Sequence, residues 1–267
     1  MPERGAIPID AWHLALSAGL VVAAGAVSLG LRLDLERRLA WASARTVGQL
    51  LLVGYVLGWV FELEEPFVVL GLLTLMIAAA ARAAVQRSSR RYRGVHLAAF
   101  AMLSLTGLAT TLGTTQVVIG VEPWYRPQYV VPLLGMVLGN GLTGMSLCLD
   151  ELLRALDEQR ATVETDLALG ATRWEAARGP LREAVRRGMI PIINSMMVVG
   201  IVSLPGMMTG QILQGADPLV AVRYQIVIMF MIAGATSFGC MLIALFSYRR
   251  LFNPRHQLRA DRIRRHD

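Results

Sequence analysis

Long apolar runs recur along the whole of this 267-residue sequence, and they restrict its fold more than any other feature. A helix crossing the hydrocarbon core of a bilayer needs about 20 mostly apolar residues. Such runs lie at Ala11–Leu31, Thr46–Phe61, Pro66–Val85, Val95–Val121, Val130–Leu149, Met189–Leu213 and Leu219–Phe246. The second is short and uses Arg45 and Glu62 as its interfacial ends. The first has no basic flank before it and no small-residue cleavage site after it, so it reads as a span and not a signal peptide. The expected fold is all-α: a polytopic membrane protein with seven transmembrane helices in one domain, residues 1–267.

Charge gives the chain a direction. All 26 basic residues are Arg. Apart from Arg4, Arg126 and Arg223, they lie in the connections after the first, third and fifth spans, in the last turn of the third span (Arg82) or in the tail 249–267. The positive-inside rule then puts the N-terminus outside and the C-terminus in the cytoplasm. An even number of spans breaks that alternation. The net charge of +7 and pI near 10.2, elsewhere the footprint of a nucleic-acid binder, are therefore a topology signal. Membrane lipid is the expected partner, with no nucleic acid.

The opposite side carries Glu3, Asp10, Glu62, Glu64, Glu65, Glu122 and Asp217. The Glu62–Glu65 turn reads either as a solvated interfacial turn or as a cation-attracting mouth. Arg223, a few residues into the last span, either snorkels outward or pairs with Glu62, Glu64, Glu65 or Glu122. Such a pair is either structural or a gate.

Missing residue types exclude several functions. The sequence contains no Lys, which removes the Walker lysine of a P-loop ATPase and Schiff-base chemistry. On this topology His13, His96, His256 and His266 cannot share a membrane-embedded site with Ser195 or Ser203, and none forms a metal-binding pair. The chain is not expected to be an enzyme. Cys148 and Cys240 lie near the cytoplasmic leaflet, where they read as small packing residues without a disulfide.

One cytoplasmic loop, residues 150–188, is too long for a passive turn. Leu149, Leu152, Leu153, Leu156, Val163 and Leu167 recur at helical spacing, so an amphipathic helix continues the fifth span and stops at Gly170, a natural C′ residue. Thr172-Arg173-Trp174-Glu175 has the capping-box pattern and starts a second helix, expected to end at Gly179-Pro180. A third basic segment follows. The loop serves either as a docking knob centred on Trp174 or as a helical hairpin lying on lipid.

The segment Glu164-Thr-Asp-Leu-Ala-Leu-Gly170 resembles the cytoplasmic EAA-type loop of ATP-binding-cassette permeases, keeping its Glu-to-Gly spacing. Thr165 and Asp166 replace the two alanines, and the later Ile-x-Leu-Pro part is absent. More specific is the run Ile190-Pro191 through Asn194-Ser195, Gly200, Ser203-Leu204-Pro205-Gly206, Thr209-Gly210-Gln211 and Asp217 to Gln225. It resembles the Fet-type iron-export permease family, whose plant relatives are linked to aluminium tolerance. The likeness extends to Arg45-Thr-Val-Gly-Gln49 and Met136–Met145.

The resemblance implies a permease subunit of an ATP-binding-cassette transporter in the bacterial plasma (inner) membrane, exporting iron or another metal. It also implies a role in metal homeostasis and oxidative-stress resistance. A separate cytoplasmic ATPase holds ATP and Mg, this chain binds no cofactor, and the permease works as a homodimer beside two ATPases. Glu164, Gly170, Thr172, Arg173, Trp174 and Glu175 then form the coupling loop. A scaffold without transport, or a permease for a non-metal solute, are the alternatives.

The membrane pathway is expected near the sixth span. Pro191 sits in its first turn, and Ser203-Leu-Pro205-Gly206 interrupts it, as in the cavity-lining broken helices of transporters. Asn194, Ser195, Thr209 and Gln211, with Gln49 and Asn140 elsewhere, place polar groups at membrane depth, which suits a pathway or interhelical hydrogen bonds. Met196, Met197, Met207 and Met208 flank the break as gap-fillers or soft ligands. No Asp or Glu lies deep in a span, so a metal site is left unassigned.

Overall fold

The computed structural model of the protein describes residues 10–265. Glu3, Arg4 and His266 lie outside them. Two helices, α1 (Ala11–Gly30) and α2 (Glu36–Leu63), form a hairpin. Its turn is tied by Ser28, whose hydroxyl donates to Glu36 Oε2 and accepts the Leu35 N–H, both at 3.1 Å. The hairpin packs mainly on itself and leaves apolar side chains from Leu14 to Trp59 exposed, as lipid-facing helices do. It meets the rest of the chain at its far end, where Val60, Val56 and Leu57 join the core. The second span is thus longer than expected: α2 starts at Glu36, not Thr46, because Leu39, Ala40, Trp41 and Ala42 carry the helix back past Arg45. The arginine stems tolerate this by snorkelling.

The bundle itself is built on α5 (Pro127–Glu158), against which α3 (Pro66–Gln86), α4 (Val95–Gly113), α7 (Arg173–Val198) and α9 (Pro218–Leu251) all pack. A π-helical turn, Thr114–Ile119, ends α4. Small residues set the tightest crossing. A Cβ on Gly188 of α7 would lie 2.7 Å from the Gly144 carbonyl oxygen of α5 and 2.8 Å from Cys240 Sγ of α9. The buried Cys148 thiol donates to the Cys240 carbonyl at 3.5 Å, and both cysteines are free. Distant in sequence, they meet as packing residues.

Among the described residues six helices, α1 to α5 and α9, are long and apolar enough to cross a membrane. The region expected to be the sixth of seven spans is not one helix. Helix α7 runs unbroken through Gly179-Pro180 and Pro191, where a stop and a helix start were expected. Ala176, Ala177, Pro180, Leu181 and Ala184 are buried, and this packing outweighs the local cost of proline. Its first half is charged and its last ten residues, Met189–Val198, are apolar apart from Asn194 and Ser195.

The chain then turns at Gly200, whose φ of +86° suits glycine, and restarts as α8 (Gly206–Leu213) with Pro205 as N-cap. The expected kink at Ser203–Gly206 is therefore a full break that begins at Val199. Asp217 caps α9 through the N–H groups of Leu219 and Val220 at 2.8 and 3.2 Å, with Pro218 in the first turn, as its sequence suggests.

At about 1.5 Å per residue, α5 and α9 outreach a hydrocarbon core of roughly 30 Å. The connection after α3, the end of α5, the short α6 (Arg160–Ala168), the start of α7 and the chain after α9 gather at one end of the bundle. There β1 (Arg90–Arg91) pairs antiparallel with β2 (Arg264–Arg265). The tail thus folds back on the bundle.

Candidate functional site

Two places collect the polar chemistry: the elbow between α6 and α7, and a cavity at the opposite end of the bundle beside the break.

The elbow is built by local rules. Helix α6 ends in a Schellman motif: Ala171 N–H donates to the Asp166 carbonyl at 3.0 Å and Gly170 N–H to that of Leu167 at 3.2 Å. Gly170 carries the required φ of +97°. Two residues on, the capping box closes as the sequence predicts. Glu175 N–H donates to Thr172 Oγ1 at 3.3 Å, and Thr172 N–H donates to Glu175 Oε2 at 2.8 Å. That N–H, and then the Thr172 hydroxyl at 2.7 Å, hold the Glu175 carboxyl below the usual glutamate range.

The expected amphipathic helix is divided, since α5 stops at Glu158 and α6 starts after Gln159. The end of α5 is clamped by charge. Glu151, its side chain only 7% exposed, accepts hydrogen bonds from Arg154 and from Arg187 of α7. Arg90 of β1 holds Asp157 at 2.9 Å and Glu158 at 3.1 Å. Partial burial makes these pairs stronger than exposed ones. Glu164 faces outward on α6, paired to Arg160 at 2.7 Å.

Trp174 is 48% exposed. One face packs edge-on against Tyr248 of α9 with centroids 5.7 Å apart, and Tyr248 packs in turn on Phe252. The Arg173 guanidinium lies 5.9 Å over Tyr248. Beside Trp174 a groove of about 290 Å³ opens between α7 and α9, with Leu181, Val185 and Leu245 as an apolar floor and Arg178 and Arg182 at its rim. His256 completes the elbow by accepting the Arg173 N–H at Nδ1, 2.8 Å.

At the other end, Met207 and Gln211 of α8 line a cavity of about 210 Å³ with Gln128 and Tyr129 of α5 and Tyr224 of α9. Gln211 Oε1 is buried, and among the described residues no donor reaches it. The hydroxyls of Thr111 on α4 and Thr236 on α9 are likewise buried without a partner. The cavity therefore offers amide, phenol and thioether groups to a guest.

Of the other expected pathway residues, Met208 and Pro205 are half-buried but do not line this cavity, with Pro205 as the N-cap of α8. Gln49, Asn140, Asn194, Ser195 and Ser203 are exposed on their helices or turn. Asn140 bonds back to the Met136 carbonyl at 2.9 Å, and Ser203 closes the Val199 turn. The structure thus splits the expected set in two.

The Arg223 pair does not form. Arg223 is exposed, and among the described residues it makes no ion pair with Glu62, Glu64, Glu65 or Glu122. Glu64, in left-handed conformation at the end of α2, accepts from Gln128 Nε2 at 3.4 Å instead. No group of three or more His, Cys, Asp or Glu is placed to hold a metal among the described residues.

Sequence reasoning missed Gln128, Tyr129 and Tyr224 at the cavity and His256 at the elbow. Only His256 had a local signal: Asn253-Pro254 is a turn-forming pair, and Asn253 Oδ1 accepts the N–H groups of Arg255 and Gln257 at 3.0 and 2.9 Å.

The sequence model of a family described as "Uncharacterised protein family (UPF0014)" matches residues 11–252. The chain is 42% identical to UPF0014 membrane protein slr1647 of Synechocystis over 96% of its own length and 99% of the relative's. It is 32% identical to the probable iron export permease protein FetB of Escherichia coli, covering 94% and 96% of the two chains. To the protein ALUMINUM SENSITIVE 3 of Arabidopsis thaliana it is 33% identical over 91% and 88%. No solved structure matches. With an all-helical fold and relatives matched nearly end to end, this chain is a membrane protein of the UPF0014 family.

Proposed function

We propose that the chain is the permease subunit of an ATP-binding-cassette transporter that exports iron or another metal ion from a bacterial cytoplasm across the plasma (inner) membrane. It crosses the membrane seven times, counting α7–α8 as one interrupted crossing, with its N-terminus outside. It is not itself an enzyme. A partner ATPase binds ATP and Mg and sits on the α6–α7 elbow, and two copies of the chain form the translocation unit.

One observation carries the reading: 32% identity to the probable iron export permease FetB runs over 94% of the chain, through the elbow and the cavity alike. The elbow supports coupling because it is rigid where a transmitted push requires rigidity. Its turn is capped at both ends and braced by Glu151 and Arg90. The cavity supports passage of a cation, since the Gln128 and Gln211 amides and the Tyr129 and Tyr224 phenols that line it are neutral oxygen donors beside the Met207 thioether. The exposed amides Gln49, Asn140 and Asn194 support a dimer. Uncovered polar groups are costly in hydrocarbon, and a second copy covers them.

The test is transport by vesicles holding the full chain with its cognate ATPase. ATP-dependent movement of Fe(II), reduced by Gln211→Leu, is expected. Absence of ATP-dependent movement of any metal contradicts the reading.

A further inference from the structure

A second cavity, of about 710 Å³, lies at the elbow end of the bundle, away from the elbow itself. It is bounded by the start of α4, the end of α9 and the returning tail. Its upper wall is basic: Arg93 precedes α4, Arg250 ends α9, and Arg262 and Arg264 come from the tail. Its lower wall is apolar, made by Leu97 and Ala101 of α4 and Phe246 of α9. Leu97 is exposed, as is Leu105 two turns further along the same face, so the apolar wall continues into the zone where lipid chains lie.

Positive charge is in excess here. Among the described residues none of these four arginines has a carboxylate within ion-pair distance. One acid, Asp261, shares the wall and pairs with Arg259 at 3.4 Å, so four arginines face a single carboxylate. Two of the guanidiniums are held in place. Arg262 Nη1 donates to the Arg250 carbonyl at 2.9 Å, leaving its other donors free, and Arg250 lies 5.2 Å over the Phe246 ring. The β1–β2 pair brings Arg264 into the wall. Converging like charges repel unless an anion sits among them, and guanidinium groups match phosphate oxygens well.

We propose that this cleft binds one anionic phospholipid, its phosphate held by Arg93, Arg250, Arg262 and Arg264 and an acyl chain lying over Leu97, Ala101 and Phe246. A free phosphate satisfies the upper wall only, whereas a phospholipid satisfies both. Basic pockets between helices on the cytoplasmic side of membrane proteins hold such headgroups. The lipid ties the tail to α4 and α9, and the same tail carries His256 to the elbow. The proposal needs membrane placement but not the transport reading.

The full chain, purified in detergent and stripped of lipid, is titrated with phosphatidylglycerol, with phosphatidylcholine and with inorganic phosphate alone. Bound lipid is counted by native mass spectrometry. One phosphatidylglycerol per chain is expected, with phosphatidylcholine and inorganic phosphate far weaker. Arg262→Gln with Arg264→Gln weakens binding about thirtyfold. The charge-matched pair Arg249→Gln with Arg255→Gln, off the cleft wall, changes it less than about threefold. Equal loss in both pairs, equal binding of phosphatidylcholine, or saturation of the site by inorganic phosphate alone overturns the proposal.

Discussion

The Nδ1 atom of His256, in the tail, accepts the backbone N–H of Arg173, the first residue of α7, at 2.8 Å. The tail thus supplies a cap to the elbow from 83 positions away in sequence. A first-turn N–H has no partner within its own helix, so the contact satisfies a group that the elbow cannot satisfy alone.

His256→Ala removes that acceptor and costs about 1 kcal/mol locally. Amide hydrogen exchange at Arg173 and along residues 253–265 is expected to speed up, with exchange in the core of α5 unchanged. Unaltered exchange at Arg173 contradicts the capping role.

The capping box gives the elbow a pH dependence. The folded Glu175 carboxyl is held below its unfolded value by Thr172. Its contribution is therefore complete above the unfolded value and is lost as pH falls through the depressed folded one. Local opening of residues 169–176 is expected to increase on acidification, and Glu175→Gln flattens that dependence. Thr172→Ala, which removes the cap itself, costs about 1 kcal/mol at neutral pH.

Two glycines of α7 have opposite expected outcomes. Gly188→Ala drives a methyl against the Gly144 carbonyl and the Cys240 thiol, and overpacking there costs about 1–3 kcal/mol. At Gly179 nothing lies within 4 Å of an added Cβ, so Gly179→Ala stabilises by up to about 1 kcal/mol through helix propensity. Thermal unfolding in detergent compares them, and a destabilised Gly179→Ala contradicts the continuous α7.

The dimer reading predicts where copies meet. Asn140→Cys, on the exposed face of α5, is expected to cross-link to its counterpart on mild oxidation, whereas Leu75→Cys, on the exposed face of α3, is not. Native Cys148 and Cys240 are buried and do not interfere. Equal cross-linking at both sites removes this interface.

Much of the molecule is legible in sequence where neighbours alone decide. The apolar runs of α3, α4, α5 and α9 become helices because lipid and core both demand it. Gly170, Thr172–Glu175 and Asp217-Pro218 form the caps their spacing predicts. Tertiary packing hid the rest. Gly179-Pro180 reads as a stop, yet the buried face from Ala176 to Ala184 carries α7 through it. Gly200 ends the helix before the more conspicuous Pro205. Opposite charge alone pairs Arg223 with Glu62, Glu64, Glu65 or Glu122, but the fold leaves Arg223 unpaired among the described residues. Gln128, Tyr129 and Tyr224 come from separate helices and meet only once these have packed.

Coupling through the elbow is the central claim, and ATP hydrolysis in the reconstituted complex tests it most directly. The cognate ATPase is assayed with the unaltered chain, with Trp174→Ala, and with Leu75→Ala as a membrane-facing control. The account predicts that the chain co-purifies with the ATPase and stimulates it, and that Trp174→Ala lowers the stimulation about tenfold, the loss of one interface anchor, while the control retains it. Full stimulation by Trp174→Ala in a folded, membrane-inserted chain contradicts the account.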